Sequence, residues 1–349
     1  MGSGSLLALL ARLHSLGKIT HSCSATAPAA EAHVGSSFHQ ELAQRVGQLQ
    51  LHGGSAHLNW LLDACACALS THASLSSDLL QPSSSAAAPA LNERADEVLS
   101  MLDACTSLKQ VADDVHRQLD LLQAALLSAR QGCYKTGARL AAARRLQACL
   151  HRLEAMISSQ YRPRSEAQAA LLLAAKRELA SPHGAAPPLN EALDGTLLVS
   201  LLVLASTLAT FAPPTTPRSS STSAIRSACK RIAAYTSGKS GRGRCTSALT
   251  WAAPLQHLQR DLKKEQMSAI FLELRGLHSS ASSIHTTVSS PFHKEDDGEV
   301  KQRIESLRKR SQEAQACVTA LRSQLAALFQ ALLALRLALF AGCQDVSYC

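Results

Sequence analysis

From Val300 to Leu339 the apolar positions return in alternating steps of four and three residues. Val300, Ile304, Leu307, Ser311, Ala314, Val318, Leu321, Leu325, Leu328, Leu332, Leu335 and Leu339 share this register, and ten of these twelve are Val, Ile or Leu. A 3.5-residue period draws one apolar seam along a coiled-coil-like helix of roughly 40 residues, about 60 Å long at 1.5 Å per residue. The seam has to be covered, either by another helix of the chain or by a partner. Leu307, Val318, Leu321, Leu325, Leu328, Leu332, Leu335 and Leu339 are therefore the candidate interaction residues. Charge crowds the first half (Glu299, Lys301, Arg303, Glu305, Arg308, Lys309, Arg310, Glu313), while the second half keeps only Arg322 and Arg336. Such a helix leaves solvent and enters a core as it runs towards its C-terminus.

A second long stripe, Ala95, Val98, Leu102, Cys105, Leu108, Ala112, Val115, Leu119, Leu122 and Leu126, predicts a helix over 91–130, with Asn92 as a candidate N-cap. Leu58, Leu61, Leu62, Cys65, Leu69 and Leu79 predict an earlier helix over 56–80. The Ser/Ala/Pro stretch 81–89 reads as a flexible linker between the two. Further helices are expected at 137–160, at 165–180 after Pro163, and at 248–277, with a polar loop over 278–298 before the terminal heptads. The segments sort into a low-complexity leader (1–54) and an N-terminal bundle (55–181). A Pro-rich break with an uncharged helix follows (182–223), then a basic linker (224–247) and C-terminal helices packing on the bundle (248–349).

Residues 196–212, TLLVSLLVLASTLATFA, carry no charge. Seventeen residues give about 26 Å of helix, at the short end for crossing a hydrocarbon layer of roughly 30 Å. Thr196, Ser200, Ser206, Thr207 and Thr210 dilute its apolar character. Two readings stand: a helix buried on all sides in a soluble bundle, or a membrane anchor with its downstream basic residues on the cytosolic side. Arg226, Lys230, Arg231, Lys239, Arg242 and Arg244 follow it and are candidate contacts for anionic lipid, or else a solvated loop.

Composition narrows the class. Ala, Leu and Ser dominate and aromatics are 3% of the chain, which favours helix over strand. An all-α elongated bundle follows. The net charge of +9 favours acidic partners or anionic surfaces. Aromatics do not interleave with the basic residues as a base-stacking surface needs, so nucleic acid is not an expected partner.

The eleven cysteines are odd in number and irregular in spacing, which suits reduced core thiols better than a disulfide framework. No catalytic, cofactor or metal site is read from the chain. The fourteen histidines are scattered without paired spacing. Ser237-Gly238-Lys239-Ser240 has Ala233 where a phosphate loop needs its earlier glycine. Asp113 and Asp114, adjacent on a helix, diverge by about 100°. The expectation is a non-enzymatic protein. It is cytoplasmic, with membrane association or a single pass through 196–212 as the alternative. Residues 1–30 hold no acid and resemble a transit peptide in composition, but read more simply as a disordered leader around a short helix, Leu6 to Leu16.

Several local motifs, in order, resemble the plant BYPASS-related family, including its exocyst-associated relatives. Trp60–Leu80 is similar to that family's early apolar helix with a central histidine. Met101-Leu102-Asp103-Ala104-Cys105 resembles its L-L-D-x-C element, and Thr196–Phe211 occupies the place of its uncharged segment. Trp251-Ala252 with Leu255, Leu258 and Glu265 resembles its W-A-x-x-x-x-x-L segment, and Leu328-Phe329 with Arg336–Leu339 echoes its last helix. The resemblance implies an adaptor without catalysis, acting in plant development or in secretory traffic through a subunit of the exocyst. The chain departs from the family in its Ser/Ala linker before Met101 and in lacking a Tyr-Gly-Val-Lys lead-in to the uncharged segment.

Overall fold

The computed structural model describes residues 28–49, 57–79, 88–132, 136–158, 161–176, 188–213, 221–236, 250–264, 268–290 and 297–345. Those residues form an all-α bundle and contain no strand. Its helices are α1 (Pro28–Gln48), α2 (His57–Leu79), α3 (Ala88–Gly132), α4 (Thr136–Ile157), α5 (Arg162–Lys176), α6 (Pro188–Thr210), α7 (Ser221–Thr236), α8 (Ala252–Lys264), α9 (Ala269–Ser289) and α10 (Asp297–Asp345).

The frame is an antiparallel pair of very long helices. The 45 residues of α3 and the 49 of α10 each reach about 70 Å, and they lie alongside one another for most of that length. Bonds between them fix the direction: Arg130 meets Glu305 at 3.1 Å, Gln123 meets Gln315 at 2.7 Å, and Arg322 meets Asp113 at 2.6 Å. Deeper in the pair, the Cys105 thiol donates to the Leu325 carbonyl at 3.2 Å. Helix α2 covers a second side of α10, and α9 packs against α10 and α4. The seam that 3.5-residue spacing predicts is covered by the chain's own helices. Leu307, Val318, Leu321, Leu325, Leu328, Leu332, Leu335 and Leu339 are all buried.

Around this pair, α6 fills the middle of the second layer, against α1, α2, α3, α5 and α7. Pro188 opens it, where a missing N–H costs no helical bond. Of Glu191–Thr210, 94% is buried, so the uncharged run is a helix buried on all sides. Four of its five buried hydroxyls bond back to the helix, and Ser206 Oγ is left without a partner. Thr196, Ser200 and Thr207 donate to the carbonyls of Ala192, Thr196 and Val203 four residues back, at 2.9–3.0 Å, and Thr210 donates to Thr207 at 2.8 Å. Gly195 permits a close approach at its upper end, because a Cβ there would lie 2.8 Å from Leu42 of α1 and 3.4 Å from the Trp251 ring.

Arginines close several helix ends. Arg139 of α4 donates to the carbonyls of Val288, Thr287 and Ser290 at 2.8, 3.1 and 2.7 Å, filling the C-terminal acceptors of α9. Buried Arg164 donates to the Phe211 carbonyl at 2.9 Å and to that of Ser158, closing α6 and α4. The missing partners of each helix end are thereby supplied by a neighbouring helix.

Three expectations need correction. The leader 1–54 includes helix Pro28–Gln48, which buries Phe38, Leu42 and Val46 at i, i+4 and i+8; the short helix at Leu6–Leu16 lies outside the described residues. The basic linker 224–247 is helical up to Thr236. The polar loop 278–298 is helical over 278–289, because Leu277, Ala281, Ile284 and Val288 bury one face of a Ser-rich segment. In each case tertiary burial overrides weak local preference. Introducing a charge into the covered seam tests the frame. Leu328→Asp should lower unfolding stability by about 3 kcal/mol or more, since the new carboxylate has no buried partner. Urea unfolding followed by circular dichroism reads this, and an unchanged midpoint refutes the packing.

Candidate functional site

Burial of the seam moves the candidate interaction surface elsewhere on α10. The eight candidate leucine and valine positions are 0–3% exposed and already packed, so they are core and not a free contact. Periodicity predicts that a partner helix exists; it does not distinguish one in the same chain from one in another. What the pairing leaves uncovered is the opposite side of the C-terminal half. Leu337 is 61% exposed and Phe340 38%, with Leu333 and Phe329 partly buried beside them. At 100° per residue these side chains lie roughly 80–160° around the helix from Leu339. The only charge in 323–341 is Arg336, whose guanidinium stacks over the Phe340 ring at 5.1 Å. Lys109 of α3 sits over Phe329 at 5.4 Å and edges the same face. Solvent-facing helix surfaces ordinarily carry polar residues, and this strip is an exposed apolar feature where two such side chains lie close on one helix.

The basic stretch divides. Arg226 and Lys230 are exposed on α7, while Lys239, Arg242 and Arg244 lie outside the described residues. Arg231, one of the proposed lipid contacts, is 6% exposed and points inward. It pairs with Glu97 of α3, Nη2 donating to Oε2 at 2.8 Å with Nη1 2.6 Å from Oε1, and Nη1 donates to the Ala174 carbonyl of α5 at 2.7 Å. Arg94, one turn before Glu97, bonds Glu97 at 3.3 Å and Asp194 of α6 at 2.5 Å. Four buried charges thus sum to zero and tie α3, α5, α6 and α7 at one level. A guanidinium suits this role because its planar fork meets a carboxylate with two bonds at once. Arg231 lies on the inward stripe of α7 with Ala228 and Ile232, a placement that counting charges cannot reveal.

One histidine is also internal. His72 of α2 bonds Ser200 Oγ through Nε2 at 2.9 Å; that hydroxyl donates to Thr196, leaving its lone pair for the imidazole N–H. Burial pushes the His72 pKa down to about 4. Burial likewise pushes the free thiols Cys65 and Cys105 up to about 12 and Cys67 to about 11, which makes them packing groups and not nucleophiles at neutral pH. Among the described residues no group of three or more His, Cys, Asp or Glu side chains is placed to hold a metal ion. No family model, curated protein or solved structure matches the chain.

Two measurements follow. Glu97→Gln leaves Arg231 without a counter-charge in the interior, while Arg94 keeps Asp194, and should cost about 3–5 kcal/mol, whereas Glu97→Leu combined with Arg231→Met should recover most of it. Equal destabilisation in the two variants would deny the pair its role. For His72, the unfolded chain takes up a proton near pH 6.5 and the folded one only near 4, so acid favours unfolding across that window. Stability should fall by roughly 3 kcal/mol between those limits. His72→Gln should remove that component, and a variant with the same pH slope as the wild type argues against it.

Proposed function

We propose that the chain is a non-enzymatic helical adaptor whose partner contact is the apolar strip of α10 at Phe329, Leu333, Leu337 and Phe340. The observation that carries this reading is a mismatch between composition and burial. Among the described residues, two helical segments are long and apolar enough to cross a membrane, Glu191–Thr210 and Gly298–Ala341. The apolar window of the first is 94% buried and that of the second only 28%. The core accounts for the first. The apolar surplus on α10 has no such account, and it lies on a rigid element held along its length by α3. A preformed helix face with aromatic and leucine anchors suits capture by a groove or by an added helix of a partner protein.

The resemblance to the BYPASS-related family supports the biological setting of this proposal: plant development or secretory traffic, with an exocyst subunit as the partner and the cytoplasm as the location. Its motifs fall on α2, α3, α6, the turn into α8 and α10. Buried Trp251 and the Met101–Cys105 element sit in the core, so those resembling residues bear on packing.

A second reading keeps 196–212 as a membrane anchor, favoured by the length and apolarity of Glu191–Thr210. It requires α6 to withdraw from the bundle, breaking the Asp194–Arg94 pair and the Ser200–His72 bond. Carbonate extraction of membranes separates the readings: release supports the adaptor, and retention supports the anchor. For the adaptor, Leu337→Asp with Phe340→Asp should leave the unfolding midpoint within about 1 kcal/mol of wild type, since both positions are exposed. Binding to a purified exocyst subunit should weaken at least about ten-fold, as loss of a central anchor does. Undiminished binding rules out the strip, and failure of the wild type to bind any exocyst subunit rules out the family setting.

A further inference from the structure

Helix α4 turns its apolar residues inward, burying Ala142, Ala143, Leu146, Cys149, Leu150 and Leu153 against α3 and α9. Its outer face is basic. Arg144, Arg145 and Arg152 are exposed, and the His151 side chain is 71% exposed. The one acidic residue of α4 is Glu154, 4.0 Å from His151. Arg139 is committed to the α9 carbonyls, and Arg145 donates to the Ser128 hydroxyl at 2.9 Å.

The placement of these charges is regular. At 100° per residue, Arg144 and His151 form one row, and Arg145 with Arg152 form another about 100° away. Within each row the residues are seven apart, about 10 Å along the axis. Between the rows lie Ala141, Ala148 and Ala155, all exposed. A helix laid over the alanines would be flanked by basic side chains on both sides, as charged positions flank a helix pair.

A bilayer fits this face poorly. Interfacial helices put large apolar residues on the lipid side, and those of α4 are used in the core, Leu140 at its first turns excepted. Guanidinium groups on two ordered rows suit carboxylates held at matching intervals, each able to accept two bonds. We propose that the outer face of α4 docks an acidic helix of a protein partner, with carboxylates on Arg144, Arg145 and Arg152. Its backbone lies close over Ala141, Ala148 and Ala155. This face packs beside the α3 segment near Ser128, whereas the α10 strip lies beside the α3 segment near Lys109, so the two contacts are separate.

The test uses the full chain and a labelled synthetic helix with alanine and leucine in its seam and glutamate at the flanking positions, read by fluorescence anisotropy. A lysine version of that peptide and phosphatidylserine vesicles are the comparison probes. Arg144→Glu with Arg152→Glu should weaken glutamate-peptide binding at least about ten-fold. Ala148→Leu, which changes no charge, should also weaken it by holding the helices apart. Arg226→Glu with Lys230→Glu, an equal charge change on α7, should alter it less than about two-fold. The proposal is overturned by equal losses in both reversal variants, by indifference to Ala148→Leu, by equal binding of the lysine peptide, or by vesicles binding this face while the glutamate peptide does not.

Discussion

Water has to be kept from one side of α10 along some 40 residues, and α3 is the element that does most of this. The rest of the bundle is arranged around that contact. Ion pairs at its edges, Arg130 with Glu305 and Arg322 with Asp113, are half-exposed and contribute little on their own. Register comes from the apolar seam and from the internal Cys105–Leu325 contact, where a shift by one position would turn leucines outward. Helix α2 packs on α10 as well, and α9 lies along its N-terminal part, where Arg310 meets Glu273 and Arg303 meets Ser283, so charge on that half is partly answered by α9.

The second layer meets a different constraint. An apolar helix such as α6 packs equally well in many rotations, because greasy surfaces discriminate poorly between neighbours. The Arg94–Glu97–Asp194–Arg231 cluster and the His72–Ser200 bond remove that freedom, since each tolerates only one arrangement. Specificity in this layer is polar, although its bulk is not.

Helix class, most helix positions and the seam of α10 were legible in the sequence because they rest on period and composition. The buried state of 196–212 is one of the two readings its composition leaves open, and of the hydroxyls that weaken the membrane case all but Ser206 bond within the helix. What could not be read was pairing. Seam residues look the same whether an internal helix or a partner covers them, and Arg231 looks like any other member of a basic run until α3 brings Glu97 to it. The exposure of Leu337 and Phe340 is unreadable for a related reason: the loss of charge along α10 does not say which of its faces a neighbour covers. Only the second half of α9, 278–289, reads as loop, because of its serines, whose weak preference is outweighed by four apolar residues on one face.

Cys105 and Leu325 are 220 residues apart in the chain yet touch in the core. On the ribosome, α3 therefore emerges long before the helix that shields it. Until translation has passed at least Leu339, its stripe stays open to unrelated surfaces, and the cell must hold the nascent chain soluble through that interval. A truncated transcript would yield not a smaller bundle but a sticky one.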